Sequence, residues 1–184
     1  MQKQQIHIIK NSVIAIAMTL FFTCKNNLKD VNKLSMSAND PVGVSDSINV
    51  KYTDSGRLSA NLISPKMFDF SNRAFSFSEF PDGIILHLYD KSNAQTTIIS
   101  DYAIIYNNTD LIDLRGNVIA ATPTKDSLFA EQLYYDQSKE WLFTNQPATY
   151  RSKGYVTSGI GFDSDKDFKK AEVLGVTGQF AIQE

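Results

Sequence analysis

Apolar and polar residues alternate along most of this chain with a period of two, and turn residues break the alternation at short intervals. Ile48, Val50 and Tyr52 alternate with polar neighbours, Asp54-Ser55-Gly56 interrupts them, and Leu58, Ala60 and Leu62 resume the pattern. Phe68 and Phe70 continue it past Pro65, and Phe75 and Phe77 follow the turn residues Ser71-Asn72. Pro81-Asp82-Gly83 reads as a turn, because proline presets φ at the first corner and glycine accepts positive φ near the last. The clearest strand follows, with Ile84, Leu86 and Leu88 on one face and Ile85, His87 and Tyr89 on the other. No segment after Lys29 carries a helical apolar stripe long enough to compete, except residues 127–135, where Asp126 resembles an N-cap.

A repeat decides that exception in favour of strand. Residues 101–118 and 131–148 share their character position by position at an offset of about 30 residues. Each has an acidic start at Asp101 or Glu131, then an aromatic and apolar run. A polar tip follows at Asn107-Asn108 or Gln137-Ser138, and an apolar return begins at Leu111 or Trp141. A weaker third copy goes out over residues 155–162, turns over 163–167 and returns over 171–178. Stacked hairpins extend a sheet and leave no catalytic cleft between them.

The start of the chain carries a different signal. Lys3 and Lys10 flank a basic head, residues 13–22 are almost uninterruptedly apolar, and the sole cysteine, Cys24, follows. At 1.5 Å per residue, residues 11–24 reach only about 21 Å as a helix, short for a bilayer span and suited to an export signal. Phe21-Phe22-Thr23-Cys24 is similar to a lipoprotein signal box, in which the cysteine becomes the lipidated first residue after cleavage. An uncleaved anchor and an ordinary buried thiol are the alternatives. The expected organisation is a signal or anchor at residues 1–24, a flexible polar tether at 25–45 and one β domain at 46–184.

Charge and chemistry narrow the function by exclusion. A net charge of -2 with scattered lysines and arginines gives no electrostatic case for nucleic acid. One cysteine excludes a disulfide framework, and His7 and His87 have no acid at ligand spacing, so neither a metal site nor a cofactor is expected. Asp163, Asp165 and Asp167 lack the glycine and terminal glutamate of an EF-hand loop. Ser158-Gly159-Ile160-Gly161 sits within strand pattern and has no histidine after it, so it is no nucleophile elbow. No catalytic residue is expected. Trp141 with Tyr134 and Tyr135 is the one set that fits a carbohydrate platform.

Tyr52-Thr53-Asp54-Ser55-Gly56, Pro81-Asp82-Gly83-Ile84, the Tyr106 hairpin closed by Gly116-Asn117-Val118, the closing Val176-Thr177-Gly178 and the Cys24 anchor carry a resemblance in their order. Over residues 48–180 the chain resembles the periplasmic lipopolysaccharide-export protein C family, LptC. The family has a single N-terminal transmembrane helix, from which this short apolar run ending in cysteine departs. The resemblance implies an incompletely closed β-jelly roll, a V-shaped double antiparallel sheet with an apolar slot and no enzymatic activity. It implies a place at the periplasmic face of the inner membrane, between an ATP-binding-cassette (ABC) transporter complex and a bridge protein of similar fold. Lipopolysaccharide is the implied cargo.

Acyl chains need apolar side chains facing inward from successive strands, since each methylene removed from water contributes about 0.8 kcal/mol. On the alternation, the inward candidates are Leu58, Leu62, Phe68, Phe70, Ile84, Leu86, Leu88, Ile104, Ile112, Leu114 and Leu142. The same residues serve equally as the core of a closed sandwich. Val173, Val176 and Phe180 form the candidate edge strand for a partner, because strand addition relies on main-chain hydrogen bonds. The rival reading is a membrane-tethered β-sandwich that binds polysaccharide or protein and transports nothing.

Overall fold

The computed structural model describes residues 40–177. The strands are β1 (Gly43–Asp54), β2 (Arg57–Phe70), β3 (Phe77–Phe80), β4 (Ile84–Tyr89), β5 (Gln95–Ser100) and β6 (Tyr102–Tyr106). They continue with β7 (Leu111–Ala121), β8 (Ser127–Asp136), β9 (Trp141–Ser152), β10 (Tyr155–Asp165), β11 (Glu172–Val173) and β12 (Val176–Thr177). Residues 127–135 are strand, as the repeat requires, and both repeat copies are hairpins, β6–β7 and β8–β9. Cys24 and Phe180 lie outside the described residues. Strand β1 begins three residues before the expected domain start, and Gly43, Val44 and Ser45 already pair with Asp69, Phe68 and Met67.

All ladders are antiparallel, and the pairing is simpler than the strand count suggests. Strands β3 and β4 both pair with β2, and β5 and β6 both pair with β7. Each of these couples is therefore one strand with a crease in it, and from β1 to β10 neighbours in the chain are neighbours in the sheet. The two couples also pair with each other, β4 with β5 and β3 with β6, which makes the sheet ring-like. It is not a closed barrel, because among the described residues no strand covers the outer edge of β1 or of β11 and β12. The result is all-β, as the alternation predicts, and is the incompletely closed jelly roll that the family resemblance implies.

Two expected turns are creases. Pro81-Asp82-Gly83 bends the chain between β3 and β4 without reversing it, with Gly83 at φ 81. Gly116 and Asn117, at φ 73 and 45, form a bulge inside β7, where both stand opposite Glu131 alone. The Tyr106 hairpin is therefore not closed at Val118; its strand runs on to Ala121. Ser47 in β1, Gly161 in β10 and Gly175 between β11 and β12 also have positive φ at this level. Bulges bend strands and increase local twist, so a row of irregularities at one level folds the sheet into two walls. The true reversal at Ser55-Gly56, φ 51 and 80, is a two-residue hairpin whose positive φ values match strand twist.

Candidate functional site

Wall one contains β4, β5, the second halves of β1, β7 and β9, and the first halves of β2, β8 and β10; wall two contains β3, β6 and the remaining halves. Their inner faces meet in one apolar cluster. Wall one supplies Leu62, Ile84, Leu86, Leu88, Ile98, Ala120 and Leu128, and wall two supplies Phe80, Ala103, Ile112, Leu114, Leu133, Tyr135, Leu142 and Phe162. Seven of the inward candidates belong to this cluster: Leu62, Ile84, Leu86, Leu88, Ile112, Leu114 and Leu142. Leu58 is only half-buried, near the open end of wall one.

Three candidates fall elsewhere. Phe68, Phe70 and Ile104 lie on the outer face, because the alternation changes phase at the crease in alternate strands. In β2 the inward set passes from Leu62 and Ser64 to Met67, and in β5–β6 from Ile98 and Ser100 to Ala103 and Ile105. Strand β8 passes likewise from Leu128 to Leu133 and Tyr135. A one-residue slip moves every following side chain to the opposite face. Phe70 instead stacks on Phe77 at 4.7 Å between centroids, with the Arg73 guanidinium 4.8 Å from its ring. Phe162, Leu128, Leu133 and Ile98 were absent from the candidates, although all are fully buried. Alternation within each half-strand would have found them.

Polar side chains at the crease are tied down. Ser64 Oγ donates to the Gly83 carbonyl at 2.7 Å, and Asn117 Nδ2 donates to Asp101 Oδ2 at 2.6 Å. On the outer face of wall two, Asp113 accepts hydrogen bonds from Arg115 and from Gln132, and Tyr102 donates to Glu79 at 2.7 Å. Burial first, and then the Glu79 carboxylate, push the Tyr102 hydroxyl up to about 12. Burial likewise raises Tyr135, whose ring is inside the core.

The carbohydrate set is thereby split. Tyr135 faces inward, while Tyr134 stacks on Phe143 outside at 5.2 Å and Trp141 donates its indole N–H to Asp163. Asp165 accepts from the Lys169 and Lys170 amides, and Asp167 pairs with Lys169. Among the described residues no cluster of His, Cys, Asp or Glu could hold a metal ion. His87 lies on the outer face of wall one, 3.0 Å from Thr97 Oγ1.

Outside this apolar interior the two ends of the sheet are open edges among the described residues. Comparison with protein families matches residues 12–181 to the family described as lipopolysaccharide-assembly, LptC-related. The chain belongs to that family. Comparison with curated protein sequences gives no match. Membership makes this LptC-related chain a non-enzymatic component of lipopolysaccharide export, associated with the periplasm and inner membrane. Its partners are lipopolysaccharide and the transport machinery in general. Among the described residues no helix is long and apolar enough to cross a membrane.

Proposed function

We propose that this chain receives lipopolysaccharide from an inner-membrane ABC transporter complex and passes its acyl chains between the two walls to a periplasmic bridge protein of similar fold. The observation that carries this reading is the continuity of the apolar interior from wall to wall across the crease, beneath a sheet with unpaired edges at both ends. Leu62, Ile84, Leu86, Leu88, Ile112, Leu114 and Leu142 are the acyl-chain contacts. Side chains from both walls fill this cluster, so cargo enters by parting the walls and replacing side-chain contacts with methylene contacts. Burial of each methylene, about 0.8 kcal/mol, offsets the separation, and the lack of directional polar contacts lets the chain slide.

The outer edge formed by Val173 and Val176 is the edge that pairs with the bridge protein by strand addition. Cys24 is the lipidated attachment point at the periplasmic face of the inner membrane. A photo-crosslinking amino acid in place of Leu86 or Leu114 in cells should capture lipopolysaccharide in an ATP-dependent way. The same group at exposed Lys51, on β1, should not. Equal capture at Lys51, or none at the two leucines, removes the conduit. The outer pair of Tyr134 and Phe143, beside Trp141, favours a second reading, a saccharide-binding module. Saccharide binding lost on Phe143→Ala, without any acyl capture, would select it.

A further inference from the structure

The ends of the walls farthest from the crease are fastened together by the segment between β10 and β11. Strand β10 ends wall two at Asp165, and the chain then turns beneath the mouth instead of away from it. Lys166 is only 8% exposed, and its Nζ donates to the Tyr89 carbonyl at 3.0 Å and to Glu140 Oε1 at 2.6 Å. Tyr89 ends β4 in wall one, whereas Glu140 closes the β8–β9 tip in wall two. One ammonium group therefore spans the mouth.

Two residues on, Phe168 is 6% exposed and packs against a touching pair of rings, 5.7 Å from Tyr150 of wall one and 5.5 Å from Phe162 of wall two, which are themselves 5.5 Å apart. Its φ of 57 is one that phenylalanine takes only when its surroundings compel it. The root of the segment is well tied, since Asp165 Oδ1 accepts from the Lys169 and Lys170 amides at 2.7 and 3.1 Å. A charged cleft of about 330 Å³ marks the mouth outside, with Asp54, Arg57 and Asp90 on one lip and Asp167 and Lys169 on the other.

We propose that residues 166–168 form a latch and plug that control access to the interior. The proposal rests on the conduit reading above. Lys166 holds the lips together, and Phe168 caps the Tyr150–Phe162 pair at the place that an entering acyl chain takes over. Exchange of one apolar occupant for another leaves the inner faces covered throughout, and release of a single cation from one carbonyl frees wall one. No covalent bond is made or broken in the step.

The test uses the full chain in cells, with the photo-crosslinker at Leu86 and lipopolysaccharide as the captured molecule. Lys166→Met keeps the apolar stem and removes the cation, so capture in a short light pulse should rise at least threefold. Lys166→Arg should return it to the parent level, and Phe168→Leu, a mild change of plug, should raise it as well. Amide exchange on the purified full chain should quicken at Tyr89 and Lys166 in Lys166→Met and stay unchanged at Leu114. If Lys166→Met captures no faster than the parent while the parent does capture, the latch is wrong and the conduit stands. If exchange quickens and no variant captures lipopolysaccharide, the conduit reading falls and control of access falls with it.

Discussion

Gly83 shows how little latitude a single position has where the sheet creases. A Cβ there would sit 2.3 Å from the Ser100 carbonyl oxygen, and its φ of 81 disfavours any L side chain. Gly56 has nearly the same φ, 80, but open space around it. The pair separates backbone strain from collision. Gly56→Ala should cost about 1 kcal/mol, the usual left-handed penalty. Gly83→Ala should cost about 3 kcal/mol or more, because backbone must move as well. Urea unfolding measures both as shifts in midpoint at constant slope; equal shifts would mean that the close approach to Ser100 carries no weight. Ser64, which donates to the Gly83 carbonyl, belongs to the same constraint.

Among the elements, the β8–β9 hairpin is held at its tip by a carboxylate. Asp136 accepts from the Ser138 hydroxyl at 2.7 Å, the Lys139 amide at 3.0 Å and the Lys139 ammonium at 2.9 Å. The Ser138 hydrogen bond, followed by Lys139, depresses its carboxyl to about 2. An unfolded aspartate titrates near about 3.9, so the stabilisation is complete above that value and is lost as pH falls from about 4 through about 2. The melting temperature should therefore drop over that window, and Asp136→Asn should lower it at neutral pH while flattening part of the acid limb. The same slope in both proteins would assign the acid sensitivity elsewhere. Because the tip is near solvent, the effect is small.

The hairpin repeat itself was readable from the chain. The creases within its strands were not, because Gly116-Asn117 has the same composition whether it reverses a chain or bulges it; only the partner strand distinguishes them. The phase change that displaced Phe68, Phe70 and Ile104 has the same origin. It depends on how many residues the opposite strand places at the crease.

At the scale of the whole described domain, a creased meander with one apolar interior is fastened at its mouth by Lys166, so the proposed passage of lipid requires the walls to part. The attachment upstream is separately testable. Cys24→Ala should abolish incorporation of a labelled fatty acid in cells, and undiminished labelling would exclude lipidation there.

By itself the sequence determined the all-β class, the hairpin repeat and part of the apolar interior, since alternation and turn chemistry are local properties. Tertiary structure alone decided which half-strand faced inward, that Pro81-Asp82-Gly83 bends and does not reverse, and that Lys166 meets Tyr89 across 77 positions of chain. Those outcomes depend on pairing between distant segments, and a buried lysine has no local pattern that sets it apart from a solvated one.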